Sequence, residues 1–199
     1  MPREVESEQV PENCEAARPS IGGAARPAGG TIEKMSKIKP EVPGPGQESV
    51  WDYPRPPLLE QSTRLITVRF KGVLIAETRD AWRVLETSHP PTWYVPRDDI
   101  AASALTPSET RSTHCEWKGA ATYWDVHGDN EISVGAGWSY ETPTASFLPI
   151  TGHLAFSPSR LECEVDGESV TPQEGGFYEG WITSDVVGPF KGIPGSWGW

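Results

Sequence analysis

Residues 152–167 read Gly-His-Leu-Ala-Phe-Ser-Pro-Ser-Arg-Leu-Glu-Cys-Glu-Val-Asp-Gly. Two short strand-like runs, 152–156 and 161–165, flank a Ser-Pro-Ser-Arg turn. Asp166-Gly167 then closes the second run with two residues that tolerate positive φ, a strong hairpin signal. Runs this short and this close in sequence pair as antiparallel neighbours, because a parallel crossover needs a longer connection.

The same grammar extends upstream. Residues 120–126 form a strand candidate, 127–130 (His-Gly-Asp-Asn) are turn chemistry, and 131–134 return as its partner. Residues 64–70 alternate well enough for a strand, Lys71-Gly72 is a tight turn, and 73–77 come back. Residues 92–95 give a further short strand, after which 96–100 read as a turn opening into a single helical turn. The best helix candidate is 78–86, with Thr78 or Asp80 as its cap and Trp82 and Leu85 facing inward. It is about two turns long, too short to stand without packing. The 20 glycines and 20 prolines favour many turns over long helices. The expected fold is mainly β: two packed antiparallel sheets of short strands with one short helix.

The ends differ in texture. Residues 1–47 are rich in Pro, Gly, Ala, Ser and Glu and poor in large apolar side chains, so burial cannot offset their ordering entropy. They are expected to be a disordered N-terminal tail, read equally as an ordinary tail or as an extension ahead of a start at Met35. Residues 48–199 make one β-rich domain, long enough for a hydrophobic core without a metal or disulfide staple. Residues 175–199 carry too many aromatics for a disordered tail and are expected to pack onto the body.

A formal net charge of -11 disfavours bulk nucleic acid and anionic lipid as partners, while leaving room for one small anion in a local basic pocket. No apolar run is long enough to span a bilayer, and residues 1–30 lack the apolar centre of a signal peptide. Cys14, Cys115 and Cys163 form a sparse, odd set without a CxxC pair, which reads as reduced thiols in the cytoplasm.

Several constellations carry chemistry. In Thr113-His114-Cys115-Glu116-Trp117-Lys118-Gly119 a thiol lies near a cation and an imidazole, a setting that makes Cys115, His114 and Lys118 catalytic candidates. The plainer reading buries Cys115 as a small apolar residue. The aromatics outnumber what one core of this size needs, so some are expected to line a concave site with cations between them. Trp51, Arg55, Arg97, Tyr123, Trp124, Trp181 and Lys191 are the ligand-binding candidates. One pocket is expected where segments 51–55, 113–119 and 181–191 meet. The plainer reading is a Trp-rich core with cations at its rim. His114 and Cys115 are adjacent and would face opposite ways on a strand, and no zinc spacing is present, so no metal site is expected. Asp98-Asp99 and Asp125 with Asp129 follow no Gly-Ser loop, and no phosphate-cradling glycine motif occurs.

Five phrases taken together resemble one family. They are residues 48–57 (Glu-Ser-Val-Trp-Asp-Tyr-Pro-Arg-Pro-Pro), 92–100 (Thr-Trp-Tyr-Val-Pro-Arg-Asp-Asp-Ile), 113–119, 123–126 (Tyr-Trp-Asp-Val) and 180–183 (Gly-Trp-Ile-Thr), the last continuing to Gly188-Pro189-Phe190-Lys191-Gly192. In this order they resemble the domain-of-unknown-function-427 family, sometimes labelled a nucleotidyltransferase domain. The resemblance implies a small β-rich domain, and its label implies nucleotide chemistry. The expected function is to bind or transform a small anionic or nucleotide-like molecule in an aromatic, basic pocket. The alternative is a non-catalytic ligand-binding or protein-interaction module. No cofactor can be named from these motifs, and the expected partner is a small molecule.

Overall fold

The computed structural model describes residues 38–196, 198 and 199. The disorder expected for residues 1–47 therefore falls, for 1–37, outside the described residues. Residues 38–47 are mostly exposed and form neither strand nor helix. Glu41 N–H donates to the Gly188 carbonyl at 2.8 Å, and Gln47 Nε2 donates to the Ser184 carbonyl at 2.7 Å, so contacts with the body begin ahead of Glu48.

The chain opens with β1 (Glu48–Ser49), β2 (Leu58–Ser62), β3 (Ile66–Phe70), β4 (Val73–Thr78), β5 (Ala81–Leu85) and β6 (Thr92–Tyr94). It continues through β7 (Leu105–Pro107), the small hairpin β8 (His114–Cys115) and β9 (Gly119–Ala120), then β10 (Thr122–His127) and β11 (Ile132–Ser139). It closes with β12 (Leu154–Phe156), β13 (Glu162–Val165), β14 (Glu168–Ser169), β15 (Thr171–Pro172), β16 (Trp181–Ile182) and β17 (Val186–Val187). Among the described residues the helical content is three 3₁₀ segments, at Arg97–Asp99, Ala102–Ala104 and Ala145–Ile150.

The fold is mainly β, as read from the sequence, and its strands form several sheets rather than two. Two four-stranded sheets, ordered β12-β11-β10-β7 and β14-β13-β3-β4, enclose the main core, with Ile66, Val68, Val126, Leu154, Phe156 and Val165 all buried in it. A three-stranded sheet β2-β5-β6 covers the other side of the first of these. Successive side chains on a strand point to opposite faces, and both faces here are covered. Thus Leu154 and Phe156 enter the main core while Ala155, between them, enters a second core with Val84, Tyr94, Tyr140 and Phe147. Strands β1 and β17 pair in parallel, unlike the rest.

Hairpin chemistry holds where the residues demand it. Lys71 and Gly72 sit at φ 50° and 80° between β3 and β4, and Asp166 and Gly167 at 52° and 81° between β13 and β14. The helix expected over 78–86 is instead the end of β4, a turn, and β5, the central strand of its sheet. The Thr78 hydroxyl does accept a backbone N–H, from Asp80 at 3.0 Å, which is the bond a cap would make, but here it closes a turn between two strands. Trp82, Arg83 and Val84 pair with neighbours on both sides, and two turns of helix offer nothing to compete with that ladder.

The C-terminal stretch packs onto the body. Trp181 is fully buried in the main core, and Val50, Tyr53, Leu85 and Val186 form a third cluster, against which Trp51 and Phe190 pack. Among the described residues no helix is long and apolar enough to cross a membrane.

Candidate functional site

Strand β6 leads through Val95 into the short 3₁₀ turn that carries Arg97. Val95 and Leu154 exchange backbone hydrogen bonds at 2.7 and 2.9 Å, and the Thr78 hydroxyl donates to Asp99 Oδ2 at 2.5 Å, so the turn is tied down on both sides. It faces β10, where Trp124 projects. The Arg97 guanidinium carbon lies 4.0 Å from the centroid of the Trp124 ring, a cation–π contact that holds the flat group in place.

The indole is fixed from the other end as well. Trp124 Nε1 donates to Ser139 Oγ at 2.9 Å, and Ser139 Oγ donates to Glu141 Oε1 at 2.6 Å. Ser139 is fully buried, so its hydroxyl has no water to turn toward. Glu141 and the loop 151–153 complete the wall of a cleft of about 620 Å³, a size usual for small-molecule sites. Gly152 stands in this loop at φ 70°, where a side chain would strain the backbone, and its N–H donates to the Tyr140 carbonyl at 3.2 Å. His153 lines the cleft beside it, with Nδ1 3.3 Å from the Thr151 carbonyl oxygen. Among the described residues Arg97 has no carboxylate within ion-pairing distance.

A smaller cleft of about 240 Å³ holds two arginines of the opposite kind. Arg64 bridges Asp166 at 2.7 Å and Asp185 at 2.5 Å. Arg83 binds Glu60 at 2.8 Å and Glu48 through both terminal guanidinium nitrogens. Two cations thus meet four carboxylates, which cancels any attraction for a further anion. The Arg64 guanidinium beside Asp166 holds that carboxyl below its ordinary range. Burial opposes the same shift at Asp185, yet the Thr183 hydroxyl and Arg64 hold its carboxyl low too.

The remaining candidates fall in three places. The hairpin β8–β9 packs Cys115 and Trp117 onto the second core and leaves His114 exposed. Lys118 Nζ lies 5.7 and 5.8 Å from the Tyr140 and Phe147 ring centroids, and Thr144 Oγ1 donates to the Trp117 carbonyl at 2.6 Å. Tyr123 belongs to this region: it precedes Trp124 on a strand, so it faces the second core, and its hydroxyl is 2.9 Å from Thr113 Oγ1.

Trp51, Arg55 and Lys191 meet elsewhere. Trp51 Nε1 donates to the Pro189 carbonyl at 2.9 Å, Arg55 pairs with Glu86 at 2.9 Å, and buried Lys191 donates through Nζ to the Trp199 main-chain oxygen at 2.9 Å. Burial lowers the pKa of His89 in this region, although Glu86 opposes it. Trp181 cannot wall a ligand site in this conformation, since it is fully buried with Nε1 donating to the Phe156 carbonyl at 3.1 Å.

The three segments expected to form one pocket are therefore not brought together as a set. Segments 51–55 and 181–191 meet, while 113–119 packs on a different core, because its hairpin is held by Thr144 and Ala121. Of the candidates, Arg97 and Trp124 share the larger cleft. Glu141 and His153 line it as well, with buried Ser139 behind the wall, and none of the three was a candidate from the sequence. Among the described residues no group of three or more His, Cys, Asp or Glu side chains is placed to hold a metal ion. Cys115 and Cys163 are free thiols, and burial pushes the Cys163 thiol above its ordinary range.

No curated protein matches the sequence. A family model described as "Domain of unknown function (DUF427)" matches residues 58–167, which include every residue lining the larger cleft. With more than half its length covered by that model, the chain belongs to the domain-of-unknown-function-427 family.

Proposed function

We propose that this protein binds a small anionic molecule, nucleotide-like compounds included, in the cleft between Arg97 and Trp124. The carrying observation is a guanidinium stacked on an indole, facing a ligand-sized cleft, with no carboxylate partner among the described residues. Stacking fixes the plane of the guanidinium and leaves its N–H edges free for the parallel hydrogen bonds that suit phosphate or carboxylate. The chain's overall charge of -11 opposes anions at long range, so recognition rests on contacts inside the cleft. His114, Cys115 and Lys118 take no part in this reading, because their hairpin belongs to the second core.

Calorimetric titration with adenosine monophosphate and with inorganic phosphate tests it. Arg97→Ala is expected to weaken binding about tenfold or more, since a charge-assisted hydrogen bond contributes roughly 1.5–3 kcal/mol. Stability should move by no more than about 0.5 kcal/mol, as for an ordinary surface position. Absence of binding by both probes, or equal binding to the variant, would end the proposal.

A further inference from the structure

The cleft carries charges of both signs. Among the described residues Arg97 is the one Lys or Arg on its lining, with His153 the one imidazole, while Asp98 and Glu141 are two carboxylates there. A simple anion would meet as much repulsion as attraction there. We infer that the ligand is bipolar, with a phosphate or carboxylate for Arg97 and an amine or amidine N–H for the Glu141 carboxylate; this rests on the anion reading above.

The proton bookkeeping of the wall supports the second half. An indole N–H can only donate, so Ser139 Oγ must accept from Trp124. The single hydroxyl hydrogen of Ser139 is then directed to Glu141 Oε1, at 2.6 Å. The chain of donors runs one way and ends on Glu141 as an acceptor. This occupies Oε1 and fixes the carboxylate's position through a fully buried serine. Among the described residues Oε2 has neither a hydrogen-bond donor nor a cationic partner. It lies beside Gly152, 3.9 Å from where a β-carbon would stand, so no side chain from that residue comes between it and the cleft. A preset acceptor and a preset guanidinium on one cleft lining define a ligand by its two ends.

Matched probes separate the two ends. Alkyl phosphates of two to six carbons would each be titrated against the ω-aminoalkyl phosphate of the same length, with the full chain and with Glu141→Gln. The glutamine keeps an oxygen to accept from Ser139 and removes both the charge and the second acceptor. At one or more lengths the amino compound is expected to bind about tenfold tighter to the unaltered chain. In Glu141→Gln that preference should shrink below about threefold. If the amino compounds show no preference at any length while the alkyl phosphates bind and respond to Arg97→Ala, the bipolar inference is overturned and the anion reading stands. If the preference survives in Glu141→Gln, another group reads the amine and the inference is also overturned. If no phosphate binds, both fall. The comparison on the unaltered chain needs no variant, so it stands even if Glu141→Gln folds poorly.

Discussion

Arg83 and Arg97 follow one another through the same sheet, one inside β5 and the other in the turn after β6, and they are used in opposite ways. Arg83 is enclosed by Glu48 and Glu60, and with Arg64, Asp166 and Asp185 it ties β1, β2 and β5 to the turns around β14 and β17. Arg97 lies on an indole at 4.0 Å, with no carboxylate partner among the described residues and a cleft before it. A guanidinium therefore does not mark a site by its charge. What distinguishes the two is whether folding has already satisfied it.

Arg83 is the more costly of the two to remove. Its side chain is only 16% exposed, and removing it leaves two carboxylates facing each other without a cation. Arg83→Met is expected to cost about 2–3 kcal/mol, less than a fully buried pair because Glu60 is nearly half exposed. Urea unfolding measures this, and binding of phosphate probes should be unchanged. A variant that keeps its stability but loses binding would reverse the roles assigned to the two arginines.

Trp124→Phe acts on the platform beneath Arg97. The ring stays, so most packing stays, but Ser139 loses the donor that filled its acceptor position inside the protein. A loss of about 1 kcal/mol follows from one unsatisfied buried group. Phosphate affinity should also fall several-fold, since phenylalanine is a weaker platform for Arg97 than tryptophan. Unchanged affinity would mean that the stacking does not set the guanidinium's position.

How much of this was legible in the sequence depends on what each feature needs. The turns at Lys71-Gly72 and Asp166-Gly167 were readable because they depend on the two residues alone. Strand β5 was not, because Thr78 and Asp80 make the same local bond at a helix cap and in a strand-to-strand turn; the ladder on either side decides. Arg97 and Trp124 were identified as ligand candidates from residue type, but the partners that set their chemistry were hidden by register. The turn expected at 127–130 lies one residue later, at 128–131, and the strands it joins pair His127 with Ile132 and Val126 with Ser133. Continued unbroken, that register would set Trp124 opposite Gly135. A bulge between Trp124 and Val126 sets it opposite Gly137 instead, with the Asp125 carboxylate accepting the N–H of Gly135 at φ 64°. That shift carries Ser139 and Glu141 to the indole. No residue type announces it, because two glycines in this strand are equally suited to the irregularity.

The smallest expected effect is in acid, and it bears on the junction alone. The Asp166 and Asp185 carboxyls both lie below their ordinary value of 3.8 in the folded chain, Asp166 through Arg64 and Asp185 through Thr183 and Arg64 against the pull of burial. A group whose pKa is depressed on folding binds its proton more readily when unfolded. Its stabilising contribution is therefore complete above the unfolded value and is lost as pH falls through the folded one. Unfolding free energy should decline below about pH 4 for this reason, and the decline should be shallower in Arg64→Met, where the cause of both shifts is weakened. Both carboxylates are partly exposed, so solvent screening keeps the difference small. His89 is also depressed, by burial, and its loss begins below 6.5, a higher window that Arg64→Met should leave untouched. Arg97→Met has no carboxylate to release and should follow the unaltered chain through the whole titration. If it flattens the acid limb as Arg64→Met does, then Arg97 is paired in solution and the contrast between the two arginines is lost.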